Sequence, residues 1–127
     1  MLLLDSQTAL WTLDDNPRLG ELARRSITST TEVYVSAATV WELTIKSMLG
    51  KLVIPTAFTE LLTAQGLSVL DVTSEHAEGL GEFPELAKHD PFDRLIVSQA
   101  RCEGLRLLTA DHVLLDLNRD FITDSRT

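Results

Sequence analysis

Four acids in this chain of 127 residues, Asp5, Glu42, Asp93 and Asp111, have the types and placement to act together. Asp5 directly follows the apolar run Met1-Leu2-Leu3-Leu4, and Asp111 follows Leu105–Thr109 by two residues. Glu42 falls in the second turn of a predicted helix, and Asp93 in the first turn of another. Carboxylates gathered from four distant segments repel one another, and the group pKa of at least one member rises. A divalent cation removes that repulsion and supplies Lewis-acid chemistry. All-oxygen donors favour Mg²⁺ or Mn²⁺ over Zn²⁺.

Each acid also has a structural explanation. Asp5 and Asp111 can cap helices, and Asp90 is placed as a cap with Pro91 at the first helical position. Asp93 then stands three residues after the cap, where a carboxylate favours the helix dipole. Glu42 precedes Lys46 by four residues, the favoured order for an ion pair. Helical geometry argues further for two of them. At about 100° per residue, Glu42 shares a face with Ala38, Ile45 and Leu49, a stripe expected to pack on the sheet together with Trp41. Asp93 likewise stacks with Ile96, Val97 and Ala100, leaving Arg94, Ser98 and Arg101 on the polar side. A carboxylate turned toward the core side needs partners or an ion. His76, His89 and His112 lack paired ligand spacing and read as surface or loop residues, the last two near the acids.

The elements that must position these side chains alternate. Strands are expected at Met1–Leu4, a short apolar run without alternation, at Val33–Val35, which is β-branched and aromatic, and at Leu67–Val72, Leu105–Thr109 and Phe121–Thr123. Helices are expected at Ser6–Leu13, Pro17–Ile27, Ala37–Leu49, Pro55–Gln65 and Pro91–Cys102. Shorter ones are expected at Ser74–Leu80, Pro84–Lys88 and Asp111–Leu117. Gly50, Gly66 and Gly104 are natural stops. Alternation of this kind predicts an α/β fold with a parallel sheet covered on both faces. Sites in open α/β sheets form outside the C-terminal strand ends, where Asp5 and Asp111 fall.

Length and composition fit a single domain over 1–127, with 44% hydrophobic and 24% charged residues. The net charge is −8, from 19 acids against 11 Lys and Arg. Such a chain does not attract nucleic acid by overall charge, so an RNA substrate would require local neutralisation at the site. Cys102 stands alone, excludes an internal disulfide and is expected as a small core residue. The opening apolar run is too short for a signal peptide or a membrane span, which leads to the expectation of a cytoplasmic protein without membrane contact.

Several blocks resemble PIN-domain proteins of the VapC toxin type. They are Leu2-Leu3-Leu4-Asp5 with Ala9-Leu10-Trp11; Val35-Ser36-Ala37-Ala38-Thr39-Val40-Trp41-Glu42 with Ile45-Lys46 and Leu49-Gly50-Lys51-Leu52; His89-Asp90-Pro91-Phe92-Asp93-Arg94 running on to Ala100; and Leu107-Leu108-Thr109-Ala110-Asp111. They span nearly the whole chain, in order. The resemblance implies a three-layer α/β/α sandwich with a mostly parallel sheet of about five strands. It implies a Mg²⁺- or Mn²⁺-dependent endoribonuclease, a toxin restrained by a cognate antitoxin, and commonly a homodimer. Its acidic motif maps onto Asp5, Glu42, Asp93 and Asp111, with Asp90 as cap first and ligand second. Asp5 and Asp93 would anchor one or two ions, Glu42 would hold the ion or its water, and Asp111 would complete the set. Thr109 would hold the loop of the fourth acid or a water. Lys46 and Arg94 are candidate phosphate contacts, and Ser6 and Thr109 are further candidate substrate contacts. Where many relatives carry Thr-His after the first acid, this chain has Ser6-Gln7, which keeps a hydroxyl and loses an imidazole.

Two other classes compete. A phospho-acceptor signalling domain wants an acidic pair at the first strand and a Lys after the last, and this chain has neither. A catalytically inactive PIN-like binding module would not need all four acids.

Overall fold

The computed structural model describes all residues 1–127. Five strands form one sheet in which every neighbouring pair is parallel: β1 (Leu2–Leu4), β2 (Val33–Ser36), β3 (Ser68–Leu70), β4 (Arg106–Thr109) and β5 (Ile122–Asp124). Their spatial order is β3-β2-β1-β4-β5. The order reverses at β1, so the switch point lies between β1 and β4, the strands that precede Asp5 and Asp111. In register, Leu4 stands beside Leu108 and Val35.

Seven helices connect the strands: α1 (Ser6–Leu13), α2 (Glu21–Ser29), α3 (Ala37–Met48), α4 (Phe58–Ala64), α5 (Ser74–Glu78), α6 (Pro91–Glu103) and α7 (His112–Leu115). Short 3₁₀ turns at Gly79–Glu82 and Pro84–Leu86 lead into α6. Alternate side chains of β1 serve opposite layers, as the pleat requires. Leu2 and Leu4 join Ala9, Trp11, Ala23, Leu43, Phe58 and Leu62 in one cluster. Leu3 joins Phe83, Leu86, Ile96, Val97, Leu107 and Leu114 in the other. The arrangement is the three-layer α/β/α sandwich that the alternating elements imply.

The departures from expectation have local causes. The helix expected from Pro17 begins at Glu21, because the Asn16 side chain accepts the Arg18 N–H and holds a turn ahead of the Gly20 cap. The helix expected from Pro55 begins at Phe58, after Ala57 takes a left-handed conformation. Trp41 is 67% exposed rather than packed on the sheet. The buried stripe of α3 is Ala38, Thr39, Glu42 and Leu43, and Trp41 falls beyond its edge. Leu49 is exposed, past the last turn of the helix.

Ser98 is fully buried, not on a polar surface, and donates to the His76 carbonyl, because α5 covers that side of α6. His76 is buried as well, contrary to its reading as a surface residue. Its Nδ1 accepts the Thr73 N–H at 3.0 Å, which leaves Nε2 to donate to Glu103 at 2.7 Å. Cys102 is exposed rather than a core residue.

Candidate active site

The acids gather because capping and strand ends place them at one rim. Asp5 ends β1 and caps α1, its Oδ1 accepting the Thr8 N–H at 2.8 Å. Its Oδ2 accepts from Thr109 Oγ1 at 2.5 Å, across the switch point. The same Thr109 hydroxyl oxygen accepts the Asp111 N–H at 3.0 Å, so one buried side chain fixes both the first and fourth acids. Asp111 in turn caps α7 through the N–H of Val113.

Glu42 is 7% exposed and comes from the inner stripe of α3. Ser6 Oγ donates to its Oε1 at 2.5 Å and Lys46 Nζ to its Oε2 at 2.8 Å. Asp93 stands in the first turn of α6, which Asp90 caps through the N–H groups of Phe92 and Asp93. Asp90 is exposed and its carboxylate is engaged as a cap, in accord with the reading of cap before ligand.

Asp5, Ser6, Glu42, Lys46, Asp93 and Asp111 line one open cleft of about 680 Å³. Its wall also holds Leu10, Trp11, Leu52 and Ala110, so an acidic floor meets a partly apolar side. The structure therefore brings together all four acids singled out from the sequence, with Ser6 and Lys46 beside them and Thr109 beneath. It does not bring Arg94 to the cleft. That guanidinium donates to the Ala87 carbonyl at 2.7 Å and faces the side of α5.

The electrostatics are those of a site short of positive charge. Burial, followed by the charges of Asp90, Asp111, Asp5 and Glu42, pushes the Asp93 carboxyl up to about 8. Burial also raises Asp5, against the lowering effect of its hydrogen bonds from Thr109 and Thr8. Lys46 is raised, mainly by its bond to Glu42. Desolvated carboxylates crowded in this way are characteristic of functional sites.

One member was not legible in the sequence. His89 Nε2 lies 3.3 Å from Asp93 Oδ2 and 3.6 Å from Asp111 Oδ2, where a surface or loop histidine without a ligand role was expected. That nitrogen is buried and has no hydrogen-bond partner. One donor atom each from His89, Asp93 and Asp111 falls within a 4.8 Å group, a geometry that can hold a cation. The available signal was the four-residue spacing from His89 to Asp93. Lys51, Gln7 and Arg126 also line the cleft without having been singled out.

The donor set fits a hard divalent cation. Carboxylate oxygens predominate, the imidazole nitrogen is unsatisfied, and Asp93 has no Lys or Arg within ion-pair distance.

A sequence profile described as PIN domain matches residues 2–119. The chain belongs to the PIN-domain family. Nineteen chains of solved structures match its fold. A chain of DNA-bound VapBC from Salmonella typhimurium is 24% identical, with a TM-score of 0.67 and 98% of each chain covered. A chain of VapBC2 from Rickettsia felis, bound to a promoter DNA fragment, is 15% identical, with a TM-score of 0.66 and the same coverage. A chain of a toxin–antitoxin complex from Klebsiella pneumoniae is 12% identical, with a TM-score of 0.66 and again 98% of each chain covered. No curated protein matches the sequence. The PIN assignment agrees with the resemblance carried by the blocks around Asp5, Glu42, Asp93 and Asp111.

Proposed function

We propose that this PIN domain is a VapC-type toxin, an endoribonuclease that hydrolyses RNA phosphodiester bonds with Mg²⁺ or Mn²⁺. The observation that carries the reading is the cleft itself, where four acids from separate elements meet and burial, with the neighbouring acids, holds Asp93 at about 8. Asp5 and Asp93 are the central ligands, with Glu42 and Asp111 beside them. When bound, the cation supplies neutralisation of the scissile phosphate and acidifies water.

The chain's own residues do the positioning. Thr109 and the Thr8 N–H fix both oxygens of Asp5. Ser6 and Lys46 fix both oxygens of Glu42, so its carboxylate cannot rotate freely. Ser6 orients Glu42 and remains at the cleft as a candidate substrate contact. Lys46, held on Glu42, would turn to a phosphate oxygen only if a bound cation took over the charge of Glu42. No side chain has the arrangement of a covalent nucleophile, and the hydrolysis requires none.

The structural neighbours come from toxin–antitoxin complexes, which supports a cognate antitoxin as partner. An acidic floor beside apolar Leu10, Trp11 and Leu52 suits a tail carrying both basic and apolar side chains. Exposed Trp41, Met48, Leu49 and Val53 on and after α3 support coverage by protein, whether antitoxin or a second copy in a homodimer. No helix is long and apolar enough to cross a membrane, and we place the protein in the cytoplasm with its RNA substrate.

The test is cleavage of mixed cellular RNA by wild type and Asp5→Asn, with Mn²⁺ or Mg²⁺ and with EDTA. Wild type cuts only with metal, and Asp5→Asn loses about a hundredfold or more. Absence of cutting by wild type across tRNA, rRNA and mRNA would favour the inactive binding module.

A further inference from the structure

An RNA strand approaching this protein meets a net charge of −8 and then a floor of carboxylates. A cation held by Asp5, Asp93 and their neighbours would neutralise the scissile phosphate, and the phosphates on either side would need cations from the chain. The basic side chains divide clearly. Arg24, Arg25, Arg101 and Arg119 pair with acids away from the cleft, and Arg106 bonds to Asp120 and Thr123. Three basic residues line the cleft: Lys46, Lys51 and Arg126. Lys46 is committed to Glu42. The other two have no role in holding the acids.

Both are held on rigid supports. Gly50 takes φ +73° after α3, with its N–H on the Ser47 carbonyl and the Lys51 N–H on the Lys46 carbonyl. This pairing is a Schellman motif, which fixes the Lys51 backbone to the helix end. The Lys51 side chain has no acidic partner within ion-pair distance and is exposed. Arg126 is clamped at the end of β5 by the Asp124 carboxylate, with Nε at 2.9 Å and Nη2 at 2.8 Å. Asp124 stands in register with Thr109, the residue that holds Asp5 and Asp111. The fork leaves Nη1 of Arg126 without a protein acceptor, and the guanidinium keeps its plane fixed.

The geometry points to Lys51 and Arg126 as binding residues for the RNA phosphates flanking the scissile bond. One sits beyond the C-terminus of α3 and the other beyond β5, and both line the cleft that holds the acids. This placement rests on the nuclease reading and adds to it a path for the strand. It also accounts for how so acidic a chain could hold a polyanion, since fixed cations act at the cleft while Arg24, Arg25, Arg101 and Arg119 are taken up by ion pairs elsewhere.

The test uses full-length protein and a fluorescein-labelled single-stranded RNA of mixed sequence. Anisotropy, with Ca²⁺ in the buffer, gives Kd over a series of KCl concentrations for wild type, Lys51→Gln, Arg126→Gln and the double variant. Each phosphate contact contributes about 0.7 to the slope of log K against log salt for a single strand. The double variant is therefore expected to lose roughly 1.4 of that slope and to bind about tenfold more weakly at low salt. In cleavage with Mn²⁺ the loss falls on KM, and Arg126→Lys recovers part of it. Arg25→Gln, whose ion pair with Glu21 lies on α2, changes nothing. Thermal unfolding separates a folding defect from lost binding. A wild type that binds and cuts RNA, with a folded double variant of unchanged slope and Kd, overturns the assignment and leaves the nuclease reading intact. A wild type that neither binds nor cuts RNA overturns both.

Discussion

Replacing Asp93 with Asn removes the charge that the cleft tolerates least while keeping the shape of the side chain. An unfolded Asp titrates near 3.9, whereas burial and the surrounding acids hold folded Asp93 at about 8. Between those values the folded chain retains a proton that the unfolded chain has released. The metal-free protein accordingly loses stability as pH rises from about 4 to about 8, and the effect is complete above that range. About four pH units at 1.36 kcal/mol each set an upper limit of roughly 5 kcal/mol. The Asp93 side chain keeps 20% of its surface in an open cleft, and solvent screening brings the expected effect to about 1–2 kcal/mol. For a domain of this size that corresponds to roughly 3–10 °C in melting temperature.

Circular dichroism melts in EDTA read this directly. Asp93→Asn is expected to melt above wild type at pH 8 by that amount, with the gap closing as pH falls toward about 4. Mn²⁺ at about a hundred times its Kd adds about 2.7 kcal/mol to wild type at pH 8. The variant is expected to lose most of that gain along with its activity. The reasoning is refuted if Asp93→Asn is no more stable than wild type at pH 8, or if wild-type stability is flat between pH 5 and 8.

Two further variants probe the supports of the site. Thr109→Val removes the hydroxyl that donates to Asp5 and accepts from Asp111, and leaves a buried carboxylate oxygen short of a donor. It is expected to destabilise the protein by about 1–3 kcal/mol in urea unfolding and to lower kcat, where a neutral result would show that Thr109 only fills space. Gly50→Ala meets no neighbouring atom, but its φ of +73° disfavours any side chain. A loss of about 1–2 kcal/mol is expected in the same assay, together with weaker RNA binding through the displaced Lys51.

The acids were legible in the sequence because each lies next to a pattern that local physics constrains. Asp5 follows a continuous apolar run, Asp111 follows the strand built on Leu105, Leu107 and Leu108, and Asp90-Pro91 announces the helix that carries Asp93. A parallel sheet covered on both faces followed from the alternation of elements, and the three-layer sandwich of about five strands from the family resemblance. The misplacements share a cause, namely that periodicity identifies faces without saying which neighbour covers them. Trp41 was assigned to the sheet side although the buried ridge runs through Ala38, Thr39, Glu42 and Leu43. Ser98 was assigned to water although α5 packs over it and supplies the His76 carbonyl. His89 was set aside because it precedes α6 and no second histidine stands at ligand spacing from it, although Asp93 follows by four residues. Only the tertiary approach of Asp111 completes that group. Arg126 sits in a polar tail whose sequence gives no sign that Asp124 will fix it at the cleft.

The most direct measurement is the anomalous diffraction of a crystal grown with Mn²⁺. A peak at about 2.1 Å from carboxylate oxygens of Asp5 and Asp93, with Glu42, Asp111 or His89 around it, is the predicted result. Saturating Mn²⁺ with no peak in the cleft, and the four carboxylates turned away from one another, would contradict it.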